Sequence, residues 1–173
     1  AFGGLLSCGG WIYDSIMELP LLKKVILIGP DEEAFSRVEP EFKEKVEFLS
    51  RERLLEMEET EVSAFVKNQV GEYPLYISID KDVLCETDAD TNWSQGDMRL
   101  STMLECLGAV KEKCAERISR ILGVDICGEC DVTEPGNSAL NDMANAALLE
   151  FFTSTDVGED IEENKNGTTG GNG

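Results

Sequence analysis

Asp80 and Asp82 stand two residues apart where the apolar run Leu75-Tyr-Ile-Ser-Ile79 ends. On an extended segment that spacing turns both carboxylates to one side and Lys81 to the other. Two oxygen donors side by side can share a hard divalent cation or a pair of them. Manganese and magnesium suit such ligands, and zinc is less favoured where no cysteine or histidine joins them. The pattern is cheap in an acidic chain: Asp88-Ala-Asp90 repeats it in what reads as a turn. Strand-end aspartates also commonly do no more than cap the turn that follows.

Other chemistries find less to work with. The chain has no histidine, so it cannot assemble a Ser/His or Cys/His nucleophile from its own residues. Cys127-Gly-Glu-Cys130 has redox or zinc-knuckle spacing. Zinc needs a second such pair, however, and a thiol redox site usually opens a helix, whereas Pro135 and Gly136 follow here. Neither a Walker loop nor Gly-x-Gly-x-x-Gly is present. With 35 acidic against 15 basic residues, the net charge of −20 disfavours nucleic acid and anionic lipid as partners. It favours metals and small cations, although acidity also serves solubility alone. Six scattered cysteines and the lack of a signal segment point to a reducing cytoplasm. No apolar run approaches the roughly 20 residues of a membrane-spanning helix.

The elements that must position these residues follow from periodicity. Trp11, Ile12, Ser15, Ile16 and Leu19 recur at helical spacing up to Pro20. Val25-Ile-Leu-Ile28, closed by Gly29-Pro30, reads as a strand covered on both faces, and Lys45 to Leu49 as a more peripheral one. Helices are expected over Arg51 to Met57 and Thr60 to Val70, the latter stopped by Gly71. Leu75 to Ile79 is the best strand. Thr102 and Glu105 have capping-box spacing for a helix burying Leu100, Met103, Leu104 and Leu107, with a further helix from about Lys111 to Arg120. Leu122 to Ile126 is the next strand. Ser138 can cap a last helix that buries Leu140, Met143, Ala144, Ala147, Leu148 and Phe151. Residues 153–173 are acidic and rich in Gly, Asn and Thr, the composition of a disordered tail. This order predicts an α/β fold, a three-layer α/β/α sandwich on a mostly parallel sheet, over residues 1–152. Ligands in such folds bind outside the carboxyl ends of the strands. The segments after Asp80 and after Asp125 are therefore the places to look.

Tyr76-Ile-Ser-Ile-Asp-Lys-Asp-Val-Leu84 resembles the strand-terminal Asp-x-Asp segment of the arginase and agmatinase (ureohydrolase) superfamily. Upstream, Leu6-Ser-Cys-Gly-Gly-Trp-Ile12 and Val25-Ile-Leu-Ile-Gly-Pro30 look like an uncharacterised arginase-like branch. Downstream, Thr91-Asn-Trp-Ser-Gln-Gly-Asp-Met98 and Val124-Asp-Ile-Cys-Gly-Glu-Cys130 stand where the family has later active-site loops. The resemblance implies that Asp80 and Asp82 bind metal in a dimanganese centre, Mg2+ or Zn2+ being less favoured. It implies a hydrolase that activates water against the planar carbon of an amidine, guanidine or amide. Trp93, Gln95, Asp125 and Glu129 become candidate substrate contacts. Trp93 would otherwise anchor its loop on the core, and Asp125 would otherwise only hydrogen-bond backbone groups.

The departures set limits. The family's Asp-x-His-x-Asp motif and further histidine have no counterpart here, so the resemblance implies a C-terminal part that is inactive alone. The loop after Asp82 lacks the Gly/Thr-rich segment of arginases, which leaves the substrate open. Asp125 and Glu129 are four apart where arginases have three. The expected partner is a small cationic or amide substrate, with homo-oligomerisation open. The alternative reading is a catalytically inactive α/β protein-interaction domain.

Overall fold

The computed structural model describes residues 10–36, 38–117, 120–130 and 138–154. Residues 6–9 of the segment Leu6 to Ile12 and the tail beyond residue 154 lie outside them. The described elements run α1 (Trp11–Glu18), β1 (Val25–Ile28), α2 (Glu32–Ser36), α3 (Pro40–Lys43), β2 (Val46–Leu49), α4 (Arg51–Glu56), α5 (Glu59–Gln69), β3 (Leu75–Asp80), α6 (Leu100–Arg117), β4 (Ile121–Cys127) and α7 (Ser138–Thr153). A single 3₁₀ turn, Lys81–Val83, follows β3. No helix among the described residues is long and apolar enough to cross a membrane.

All strand pairing is parallel, as alternation with helices requires, but the strands form two ladders rather than one sheet. β1 pairs with β2, and β3 with β4. The ladders meet at their carboxyl ends. Gly29, just past β1 and at φ 102°, packs directly on the Val83 side chain just past β3. A Cβ there would collide with it, and the positive φ separately excludes most other residues.

The β1–β2 ladder is covered on both faces. Leu49 buries with Val62 and Val66 of α5, with Val70 just past its end, and with Cys106 and Ala109 of α6, and Ile26 packs against that cluster. On the opposite face Phe48 stacks on Phe35 of α2, ring centroids 4.0 Å apart. A fully buried Leu or Val contributes roughly 1.5–3 kcal/mol, so this cluster fixes the register of the ladder. The β3–β4 ladder departs from the three-layer expectation. Ile77, Ile79 and Val124 face α6 and α7 through Met103, Leu107, Ala144 and Leu148. Tyr76, Ser78 and Asp80 alternate onto a face that is exposed among the described residues. The reason is the period-2 pattern Leu-Tyr-Ile-Ser-Ile-Asp, which offers apolar side chains to one side only.

Two helices differ from their sequence reading. α6 is one helix of 18 residues, not two, and Thr102 does not cap it. The Asp88 carboxylate accepts from the Leu100 amide at 2.7 Å, while Thr102 donates to Glu59. α7 keeps most of the expected stripe: Ala144 and Leu148 are in the core and Phe151 packs against it. Met143, however, is 68% exposed, and Asn141 is buried instead, with its amide bonded to the Asp90 backbone.

Candidate functional site

The strand that carries Asp80 stops there. Its carboxylate accepts from the Asp82 amide at 3.1 Å, closing the 3₁₀ turn in which Asp82 sits. The extended geometry expected of the Asp-x-Asp pair therefore holds only up to Asp80. Asp82 bends back toward the following loop and faces its Thr91–Ser94 segment, in which the Thr91 hydroxyl donates to the Ser94 carbonyl at 3.0 Å. Burial pushes the Asp82 carboxyl above its ordinary value against the polar groups of Thr91 and Ser94. The charge of Asp80 adds to the rise, which places the two carboxylates within electrostatic reach of each other.

Parallel register sets Cys127 beside Asp80 and Asp125 beside Ser78. The Ser78 hydroxyl donates to Asp125 at 2.8 Å. Asp125 also bonds the Tyr76 hydroxyl and so raises the Tyr76 pKa. Asp125 is thus engaged on the exposed sheet face, one step back from the strand ends. Burial pushes the Cys127 thiol up, and the charges of Asp80, Asp125 and Asp82 push it further. A thiol in that field stays protonated near neutral pH and is a poor nucleophile.

The loop after β4 closes over the turn. At Gly128, φ 82°, a Cβ would lie 2.8 Å from Asp80 Oδ1 and 3.0 Å from the Asp82 amide nitrogen, so only glycine lets the two strand ends approach so closely. Glu129 then meets Lys81. The Lys81 side chain is 0% exposed and that of Glu129 is 53% exposed, and Nζ donates to Glu129 Oε1 and, at 2.8 Å, to Asn145 Oδ1. Burial pushes Glu129 up, but the Lys81 and Asn145 hydrogen bonds outweigh it and hold the carboxylate below its ordinary range.

At the carboxyl ends of β3 and β4, Asp80 lies beside Cys127 and Gly128, Asp82 beside the Thr91–Ser94 loop, and Glu129 against Lys81. Trp93 does not anchor its loop, since it is 83% exposed. Gln95 spends its amide nitrogen on the Leu84 carbonyl at 2.5 Å, holding the loop in place. Sequence reasoning missed Lys81, Asn141 and Asn145. A lysine between two strand-end aspartates is one signal that could have found the first. Two asparagines one helical turn apart on an otherwise apolar stripe are the signal for the others.

Whether a metal fits is decided by donors. Among the described residues no group of three or more His, Cys, Asp or Glu side chains is placed to hold an ion. Asp80 and Asp82 supply at most two carboxylates, one of them already accepting from the Asp82 amide, so a complete two-ion centre does not fit on these residues alone.

The chain is similar to an uncharacterized protein of Thermotoga maritima. The two are 32% identical over 150 residues, which cover 85% of this chain and 51% of the relative. The chain therefore spans about half the length of the curated relative it matches. No family model matches the chain. No solved structure matches it.

Proposed function

We propose that this chain carries one half of the site of a metal-dependent carbon–nitrogen hydrolase resembling the ureohydrolases. Asp80 and Asp82 are its metal-binding carboxylates, and manganese is the favoured ion. The observation that supports this reading is the placement of both aspartates, the Thr91–Ser94 loop and Glu129 at the carboxyl ends of β3 and β4, where α/β folds place their ligands. In this reading the metal supplies activation of water against a planar amidine, guanidine or amide carbon. The chain's own residues orient what binds. Asp80, tied to the Asp82 amide, sets the floor of the site, and ionised Glu129 offers an acceptor for a cationic N–H group. The donors still needed would come from residues beyond these 173 or from a second copy, and the substrate of the whole protein is part of the same proposal.

Calorimetry with Mn2+ tests the reading. The chain should bind weakly, and at matched ionic strength Asp80→Ala or Asp82→Ala should remove the part of the heat that exceeds diffuse uptake by the acidic surface. Tight binding indifferent to both substitutions would show that other residues are the ligands. An inactive interaction domain is the second reading, favoured by the exposed Tyr76–Ser78 face of β3. It gains if the heats of Mn2+ and Mg2+ at millimolar concentration are weak and unchanged by both substitutions.

A further inference from the structure

Lys81 poses a physical question. Burying an ammonium costs several kcal/mol even when it is paired, and an apolar side chain of similar volume would commonly serve stability as well or better. An apolar side chain could not fix the direction of a carboxylate. Lys81 grips Glu129, and Asn145 completes the arrangement by accepting from Lys81 with Oδ1 and donating Nδ2 to Glu129 Oε1 at 2.9 Å. One turn earlier on the same helix, Asn141 is 1% exposed. Its Oδ1 accepts from the Asp90 amide at 2.9 Å and its Nδ2 donates to the Asp90 carbonyl at 2.6 Å, a two-point grip on the peptide next to Thr91. Thr91 donates its hydroxyl to the Ser94 carbonyl at 3.0 Å, and Asp82 faces this Thr91–Ser94 segment. One face of α7 therefore reaches Asp82 through the Asp90–Thr91 segment, and reaches Glu129 both directly and through Lys81.

We propose that Lys81, Asn141 and Asn145 are positioning residues through which α7 fixes the Glu129 carboxylate relative to Asp82. The purpose of this arrangement rests on the metal-site reading above, but its mechanics do not. Neither Asn145 nor Lys81 touches the proposed ion or substrate. They hold a half-exposed glutamate in one direction and residues 128–130 in one place.

Nuclear magnetic resonance on the full chain tests this with Lys81→Met and Asn145→Ala, both chosen to retain the fold. Backbone order parameters at residues 127–130 should be near 0.85 in the unaltered protein and fall below about 0.6 in each variant, with β1 and α5 unchanged. Mn2+ serves as the second probe, because its broadening falls with the sixth power of distance. It should broaden the amides of Asp80, Asp82, Ser94 and Glu129 together. In the variants the effect at Glu129 should drop several-fold while that at Asp80 persists. Residues 127–130 remaining rigid in both variants would overturn the proposal, and so would loosening spread evenly into β1. If Mn2+ broadens none of these amides in the unaltered protein, the metal reading fails, and the order parameters alone still decide whether Lys81 and Asn145 position Glu129.

Discussion

Two residues with unusual surroundings carry the sharpest consequences. Lys81 and Glu129 form an asymmetric pair, one side chain fully buried and the other half-exposed. Glu129→Gln leaves a buried ammonium short of its counter-charge. It should lower the unfolding free energy by about 2–3 kcal/mol, below the usual figure for a buried pair because water reaches Glu129. Lys81→Met leaves only a half-exposed carboxylate and should cost less than about 1 kcal/mol. Urea denaturation of the two variants checks the order; equal losses would mean that Lys81 is better solvated than its burial implies. Cys106 lies in the core between α5 and α6, where burial pushes its thiol up to about 11. An unfolded thiol ionises near pH 9, so between pH 9 and 11 the unfolded chain binds fewer protons than the folded one. Stability contributed by the neutral thiol is complete below pH 9 and declines as pH rises to about 11, by roughly 1–3 kcal/mol in all. Denaturation curves at pH 8, 9.5 and 10.5 should show this slope in the native protein, and Cys106→Ala should remove that share of it.

At the scale of elements, much was legible. The apolar runs at Val25, Lys45, Leu75 and Leu122 are all strands, and the patterns from Arg51 and Thr60 are both helices, because contiguous β-branched runs and 3.6-residue stripes report burial directly. What escaped was short or contextual. α2 and α3, of five and four residues, offer too few turns for a period to show. α6 reads as two helices because Gly108 interrupts its stripe. The cap on α6 comes from Asp88, twelve residues away in sequence, which no local rule reaches. Of the candidate site, the strand end at Asp80 was legible in the apolar run before it, but the bend after Asp80 and the grip of Asn141 and Asn145 are tertiary. Two glycines turn this into a prediction. Gly108 has open space where a Cβ would go, so Gly108→Ala should raise stability by about 0.5–1 kcal/mol through helix propensity. Gly128→Ala must push against Asp80 and the following peptides at a positive φ and should cost roughly 1–3 kcal/mol. Thermal melts of the pair should move in opposite directions, and a neutral Gly128→Ala would refute the tight approach of the two strand ends.

For the whole molecule, charge decides. A net −20 on 173 residues makes the compact state self-repulsive, and the ion pairs that oppose this among the described residues are mostly at the surface. Exposed pairs contribute roughly 0–1 kcal/mol each and weaken with salt, whereas screening relieves the repulsion of every uncompensated carboxylate at once. Repulsion should dominate, so raising NaCl from about 10 to 150 mM, where the Debye length shrinks from about 30 to 8 Å, should raise the melting temperature by several degrees. A fall would mean that the surface pairs outweigh the net charge. The same field draws any divalent cation, so Mn2+ will stabilise the chain whether or not Asp80 and Asp82 form a site, and a metal-induced melting shift alone proves nothing. The comparison must be made at matched ionic strength and between sequences. If this strand end is a site, stabilisation by 1 mM Mn2+ beyond that of NaCl should vanish in the Asp80→Asn, Asp82→Asn double variant, yet survive in Asp88→Asn, where an aspartate of the same spacing caps α6 instead. Equal Mn2+ shifts in all three proteins would assign the effect to the diffuse field of the molecule and remove the support for metal at β3.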